Sequence, residues 1–240
     1  MSTDDTPGRR HGLAVFPFLC AGLLLRLALT GQYRNFVRPS MGRWVLLAGV
    51  FFAVVAARTL RSAASGHAHG TDEADAAPHA HRLGAAWLLI LPLAALLLVT
   101  PGPLESYAVG RNASAAATTG HEYVALPTST EPLTMKIHEF YGRAYDRDGV
   151  TLVGHDVELT GFISDHRSPD GHPVLVRFSI FCCAADAIAA VVTLVGGPEQ
   201  ELGTNEWVTV RGRFDRVSDK LPRLIVAELS DAPTPTDPYE

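Results

Sequence analysis

The chain has only three cysteines, and two of them stand side by side in the stretch RFSIFCCAADA, from Arg177 to Ala187. Cys182 and Cys183 follow an apolar run and precede Ala184-Ala185-Asp186. A buried strand has no packing need for a vicinal thiol pair, so candidate chemistry concentrates here. Three readings are open. As thiolates, one or both cysteines with Asp186 and a histidine from another loop (His155, His166 or His172) make a donor set suited to Zn²⁺ or a similar borderline ion. As a redox pair they would close a strained ring between adjacent residues, one that is comparatively easy to reduce. As packing groups, one would fill the core as a small hydrophobe while the other stays half exposed. Strand neighbours point to opposite faces, so a shared ion requires the strand to end at this pair. The Ala184-Ala185-Asp186 sequence predicts a turn there. Neither a C-x-x-C spacing nor a partner cysteine elsewhere selects among the three.

A second set of candidate ligands lies in RSAASGHAHGTDEADAAPHAHR, a His-rich loop at residues 62–82. It holds two H-x-H pairs, His67/His69 and His79/His81, separated by Asp72, Glu73 and Asp75. Imidazoles with carboxylates nearby suit zinc, and short His-rich tracts are a compositional metal signal. The alternative is a solvated Ala/Gly linker that happens to carry histidines. Weak metal binding is the expectation, because ordering a flexible loop costs entropy that a preformed site avoids.

The elements that must position these residues divide the chain in two. Its 240 residues are 47% hydrophobic and 19% charged, but the apolar residues crowd before Pro101 and the charge comes after it. Three apolar runs, at about residues 13–29, 44–60 and 83–99, predict three N-terminal transmembrane helices in a membrane region spanning 12–100. Each is about 25 Å long, near the lower limit for a hydrocarbon core of about 30 Å. Trp44, Trp87 and flanking arginines would anchor them at the interfaces. Arg9, Arg10, Arg58, Arg61 and Arg82 against Arg34, Arg38 and Arg43 favour a cytoplasmic N-terminus and an extracytoplasmic C-terminal domain. Arg26, inside the first run, either snorkels to the interface or touches a partner helix or translocation path. Pro92 is expected to kink the third helix. The formal net charge of −5 argues against a nucleic-acid partner, which needs a basic face.

Residues 1–11 and 233–240 read as disordered tails, and 101–133, rich in Pro, Gly, Ala, Ser and Thr, as a linker. Between them, 134–232 carries a soluble, β-rich domain. Its opening helix is expected to be capped by Thr134 and to end at Gly149. Five strand patterns follow, with Gly212 as a bulge, which predicts a small OB-like β-barrel. The fold class is therefore α+β.

Several of these residues together resemble a known family. Short apolar helices joined by Tyr33…Pro39-Ser40-Met41, a helix leading into Gly161-Phe162-Ile163, the block Arg177-Phe178-x-Ile180-x-Cys182-Cys183-Ala184-Ala185-Asp186-Ala187, and Glu206-Trp207-Val208 are similar to a bacterial family of permease subunits. The resemblance implies a small multi-pass protein of the bacterial cell membrane with an extracytoplasmic C-terminal domain, paired with a larger predicted permease. It supplies no catalytic residues; the motif it carries over is Arg177, Cys182, Cys183 and Asp186. The expected function is a non-enzymatic accessory subunit of a two-component permease, embedded in the lipid bilayer and handling a divalent metal such as zinc. A membrane-tethered thiol redox protein and a structural assembly factor with no ligand are the alternatives.

Overall fold

The computed structural model describes residues 8–64, 81–99, 101–112, 123–197, 202–218 and 220–240. The chain divides into two compact units, one of residues 1–34 and 39–102, the other of residues 35–38 and 103–240.

The first unit contains α1 (Gly8–Thr30), α2 (Gly42–Ala64) and α3 (His81–Leu98). Gly31 ends α1 with φ of +75°, the left-handed conformation that closes a helix and that glycine adopts without a Cβ penalty. Helices α1 and α2 meet through small residues: Ala21 and Ala56 are buried, and a Cβ on Gly49 would stand 3.0 Å from the Leu25 side chain. Small residues are what lets apolar helices approach closely. The Arg26 guanidinium donates to the Leu97 carbonyl of α3. Pro17 lies inside α1 and Pro92 inside α3.

Three apolar helices thus form where the sequence places them, but the expectation of three transmembrane helices needs correction. Among the described residues one helix, Pro39–Ser62, is long and apolar enough to cross a membrane, and Val15–Thr30 is a shorter apolar helix. Helix α3 opens on polar His81-Arg82, which leaves about 24 Å of apolar helix. His67, His69 and His79 lie outside the described residues, and His81 is the first residue of α3.

The second unit is built on five strands: β2 (Asp156–Arg167), β3 (Pro173–Ser179), β4 (Ile188–Val195), β5 (Trp207–Ser218) and β6 (Leu221–Asp231). A two-residue strand β1 (Leu133–Thr134) runs parallel to the start of β2. The order β2-β3-β4-β6-β5 closes on itself because β2 also pairs with β5. Only the β4–β6 pairing within the ring is parallel. A closed barrel has no exposed sheet edge to protect.

Strand alternation sorts the side chains into two cores. Val157, Leu159, Ile163, Leu175, Val192 and Leu194 pack with Ile137, Phe140 and Ala144 of α5 (Ile137–Tyr145). On the opposite faces of the same strands, Phe162, Val176, Phe178 and Trp207 pack with Ala108 and Val109 of α4 (Ser106–Asn112) and with Tyr239. Both strand faces are therefore covered, which explains why β3 and β4 are apolar on both faces over most of their length. Gly212 sits at a register shift in the β5–β6 pairing, and a Cβ there would meet the Ile225 carbonyl. The expected bulge is present.

Three features depart from the sequence reading. Thr134 belongs to β1, and the residue capping α5 is Lys136, with no side-chain cap of its own. The cap comes from Glu240, whose carboxylate accepts the N–H groups of Ile137 at 2.9 Å and His138 at 2.8 Å. Helix α5 stops at Tyr145, and a 3₁₀ turn runs on to Gly149. Second, residues 233–240, expected to be disordered, are docked on the barrel. Tyr239 is buried and bridges Phe178, and the Glu240 N–H donates to the Phe178 carbonyl at 2.9 Å. The polar stretch before them hides one aromatic to bury and one carboxylate to cap. Third, part of the expected linker is α4, whose Ser106 N–H donates to Asn205 at 2.9 Å.

Candidate functional site

β3 ends at Ser179, and a 3₁₀ turn at Ala184–Asp186 follows two residues after Cys182. The strand therefore terminates before the cysteine pair, the condition under which both thiols can face one point. Cys183 has extended backbone angles and caps the turn; its side chain receives the Asp186 N–H while the Asp186 side chain reaches back to the Cys183 N–H. This reciprocal capping holds the turn shut from both ends.

The Asp186 carboxylate is the hub. Its Oδ1 accepts the Phe181 N–H at 2.9 Å, and its Oδ2 accepts the N–H groups of Cys182 at 2.9 Å and Cys183 at 3.3 Å. The Cys182 thiol donates toward Cys183 Sγ across 3.6 Å. All three cysteines of the chain are free thiols. The donor atoms of Cys182, Cys183 and Asp186 all lie within 4.8 Å of one another. Cys182 is exposed, and Cys183 and Asp186 are half-buried.

The charges in this cluster oppose one another. The Cys182 thiol is pushed up to about 12 by its hydrogen bond to the Asp186 carboxylate, with the neighbouring Cys183 thiol adding to it. Asp186 is held down at about 2, first by the Cys182 side chain and then by the backbone N–H groups of Phe181, Cys182 and Cys183. A fixed carboxylate thus resists a second negative charge beside it. A divalent cation would reverse that balance, because it favours thiolate and carboxylate together.

The turn also has a backbone partner that no sequence signal identified. Val37 forms an antiparallel bridge with Cys183. The Arg38 N–H donates to the Cys182 carbonyl at 3.2 Å, and the Ala184 N–H donates to the Phe36 carbonyl at 2.7 Å. Residues 35–38 lie between α1 and α2 in sequence, more than 140 residues from the turn.

The remaining sequence candidates fall elsewhere. Arg177, nearly buried, donates to the Thr160 carbonyl at 3.1 Å and the Asp237 carbonyl at 2.9 Å. Its guanidinium stacks over Trp207 at 4.9 Å and its Nε lies 4.0 Å from Glu240. Burial lowers its pKa, against the opposing pull of Glu240 and Asp237. None of these contacts belongs to the cysteine turn; Arg177 fastens residues 237–240 to the barrel. His166 is engaged by Asp165 at 2.9 Å, and His172 faces Asp170 at 3.6 Å. Among the described residues no histidine joins Cys182, Cys183 and Asp186.

Two family matches agree with this division of the chain. The DUF1980 N-terminal domain matches residues 13–114, and the DUF1980 C-terminal domain matches residues 134–240. The chain belongs to the DUF1980 family. This bacterial family carries both the helical unit and the barrel, and the C-terminal match includes Arg177, Cys182, Cys183 and Asp186. No curated protein and no solved structure matches the chain.

Proposed function

We propose that this DUF1980 protein is a membrane-tethered accessory subunit of a two-component permease, whose OB-like barrel presents a site for a thiophilic divalent ion such as zinc. The observation that carries the metal reading is the arrangement of Cys182, Cys183 and Asp186. Two thiolates sharing a tetrahedral zinc at about 2.3 Å each stand about 3.8 Å apart, and these sulfurs are 3.6 Å apart. Two sulfurs and one carboxylate leave a fourth position open, as in sites that exchange ligands rather than lock the ion away.

The membrane reading rests on the helical unit. Phe18, Leu29, Trp44, Phe51 and Leu98 are exposed on α1, α2 and α3, a density of bare apolar side chains that water does not tolerate and a bilayer does. In this reading residues 31–41 and everything after α3 share one side of the membrane. The pairing of residues 36–38 with the cysteine turn is compatible with that arrangement. Arginine distribution makes that side extracytoplasmic. In this reading the solute passes through a larger permease partner, and the arginines inside the apolar runs are Arg26 and Arg58.

The test is metal content. Full-length protein purified in detergent should hold one equivalent of zinc, and the Cys182→Ser/Cys183→Ser variant should hold none. A folded wild-type protein that carries no zinc at micromolar exposure would overturn the metal reading and return the pair to thiol redox or packing. For the permease role, the same double variant should fail to restore metal accumulation in cells lacking the protein while reaching normal levels in the membrane.

A further inference from the structure

We infer that residues 35–38, between α1 and α2, are a strap whose hold on the cysteine turn is thermodynamically coupled to ion binding by Cys182, Cys183 and Asp186. This rests on the metal reading and specifies how that site is regulated.

The strap grips the residues that set the ligand geometry. Arg38 holds the Cys182 carbonyl, Phe36 holds the Ala184 N–H, and Val37 bridges Cys183 between them. Its other end is also fixed, because the buried Tyr239 hydroxyl donates to the Asn35 carbonyl at 2.8 Å. There is little slack. Strap residues run directly into the 3₁₀ turns Gln32–Asn35 and Pro39–Met41, and the Tyr33 hydroxyl reaches the Pro39 carbonyl at 3.4 Å across the base of the loop.

The sign of the coupling follows from Asp186. Its carboxylate accepts the N–H groups of Phe181, Cys182 and Cys183. An ion drawing one carboxylate oxygen to about 2.0–2.2 Å competes with the bonds that oxygen accepts. The strap then becomes the main backbone restraint on residues 182–184, so a held strap favours the bound state. By linkage the ion must tighten the strap by the same factor. Freeing the strap would weaken the site.

Two measurements on full-length protein in detergent test this: zinc affinity by chelator competition, and amide exchange at Val37, Arg38 and Ala184. Zinc should slow exchange at Arg38 and Ala184 about three- to tenfold, the size of one lost or gained hydrogen bond. Arg38→Pro removes the donor to Cys182 without touching a ligand and should weaken zinc by a similar factor. Arg38→Ala keeps the backbone bond and should bind within about twofold of wild type. Should Arg38→Pro fail to fold, Tyr239→Phe, which cuts the tie to Asn35, should reduce both protection and affinity. Stoichiometric zinc binding with unchanged exchange, and with normal affinity in the strap variants, would overturn the coupling and leave the metal reading standing. Absence of zinc binding by folded wild type would overturn the metal reading itself, and the coupling with it.

Discussion

The sulfur atoms of Cys182 and Cys183 stand 3.6 Å apart, far from the roughly 2.05 Å of a disulfide and close to the roughly 3.8 Å of two thiolates on one tetrahedral zinc. Oxidising the pair means drawing the sulfurs together by about 1.5 Å inside a turn clamped at both ends. Receiving an ion means a movement of about 0.2 Å. The relationship places the two competing chemistries on unequal footing before either reagent arrives.

Zinc affinity should rise steeply with pH. The Cys182 thiol, pushed up to about 12, is protonated throughout the neutral range, so zinc must displace its proton. One displaced proton gives about tenfold in apparent affinity per pH unit. Chelator competition at pH 6, 7 and 8 should therefore show at least about a hundredfold increase across that range. A flat profile would remove Cys182 from the ligand set.

Removing the charge of Asp186 should release that thiol. In Asp186→Asn the main cause of the raised Cys182 pKa is gone, so alkylation by iodoacetamide at pH 8 should run faster than in wild type. Equal rates in the two proteins would show that Asp186 does not control the thiol. Acid stability should change as well. Asp186 is lowered from near 3.8 to about 2 in the folded protein, so its stabilisation is complete above pH 4 and disappears as the pH falls toward 2. Melting temperatures of wild type and Asp186→Asn should differ by a constant amount above pH 5 and converge between pH 4 and 2.

How much of this was legible in the sequence depends on whether the signal was local. The strands announced themselves by alternation, and Gly212 by its place within one. The strand end at Ser179 was legible because Ala184-Ala185-Asp186 cannot continue a buried strand, and that alone raised the possibility of convergent thiols. What stayed hidden was long-range. Glu240 caps a helix that begins at Ile137, and Val37 pairs with Cys183; neither partner carries a pattern that points to the other. Arg177 came with the same motif, but a residue in a strand is directed by the pleat, and this one turns toward Trp207 and residues 237–240.

Glu240 should matter to stability more than a residue in a polar tail would. Its carboxylate is almost wholly buried, supplies both hydrogen bonds at the start of α5, and lies 4.0 Å from the Arg177 guanidinium. Without it, the Ile137 N–H is left buried with no cap from Lys136. Glu240→Ala should cost about 1–2 kcal/mol, the range for losing a helix N-cap with a favourable dipole interaction. Urea denaturation followed by tryptophan fluorescence reports it through Trp207. A midpoint equal to wild type would return residues 233–240 to the status of a tail.

Gly161 is a point of close approach between α5 and the barrel wall. A Cβ there would stand 2.6 Å from Ile137 Cδ1 and 2.6 Å from the Val176 carbonyl oxygen. The isoleucine end can rotate away, but the carbonyl belongs to β3 and can move only with the β2–β3 pairing. Gly161→Ala should therefore cost about 1–3 kcal/mol, as overpacking of a close-packed core does. Gly161→Val, which forces both neighbours, should prevent folding or leave a protein with disturbed near-ultraviolet circular dichroism. Because β3 leads directly into the cysteine turn, the alanine variant should also bind zinc less tightly than wild type at equal folded fraction. Unchanged stability and affinity together would mean that the wall between Gly161 and Val176 yields freely, and that the turn is positioned by the strap and by Asp186 alone.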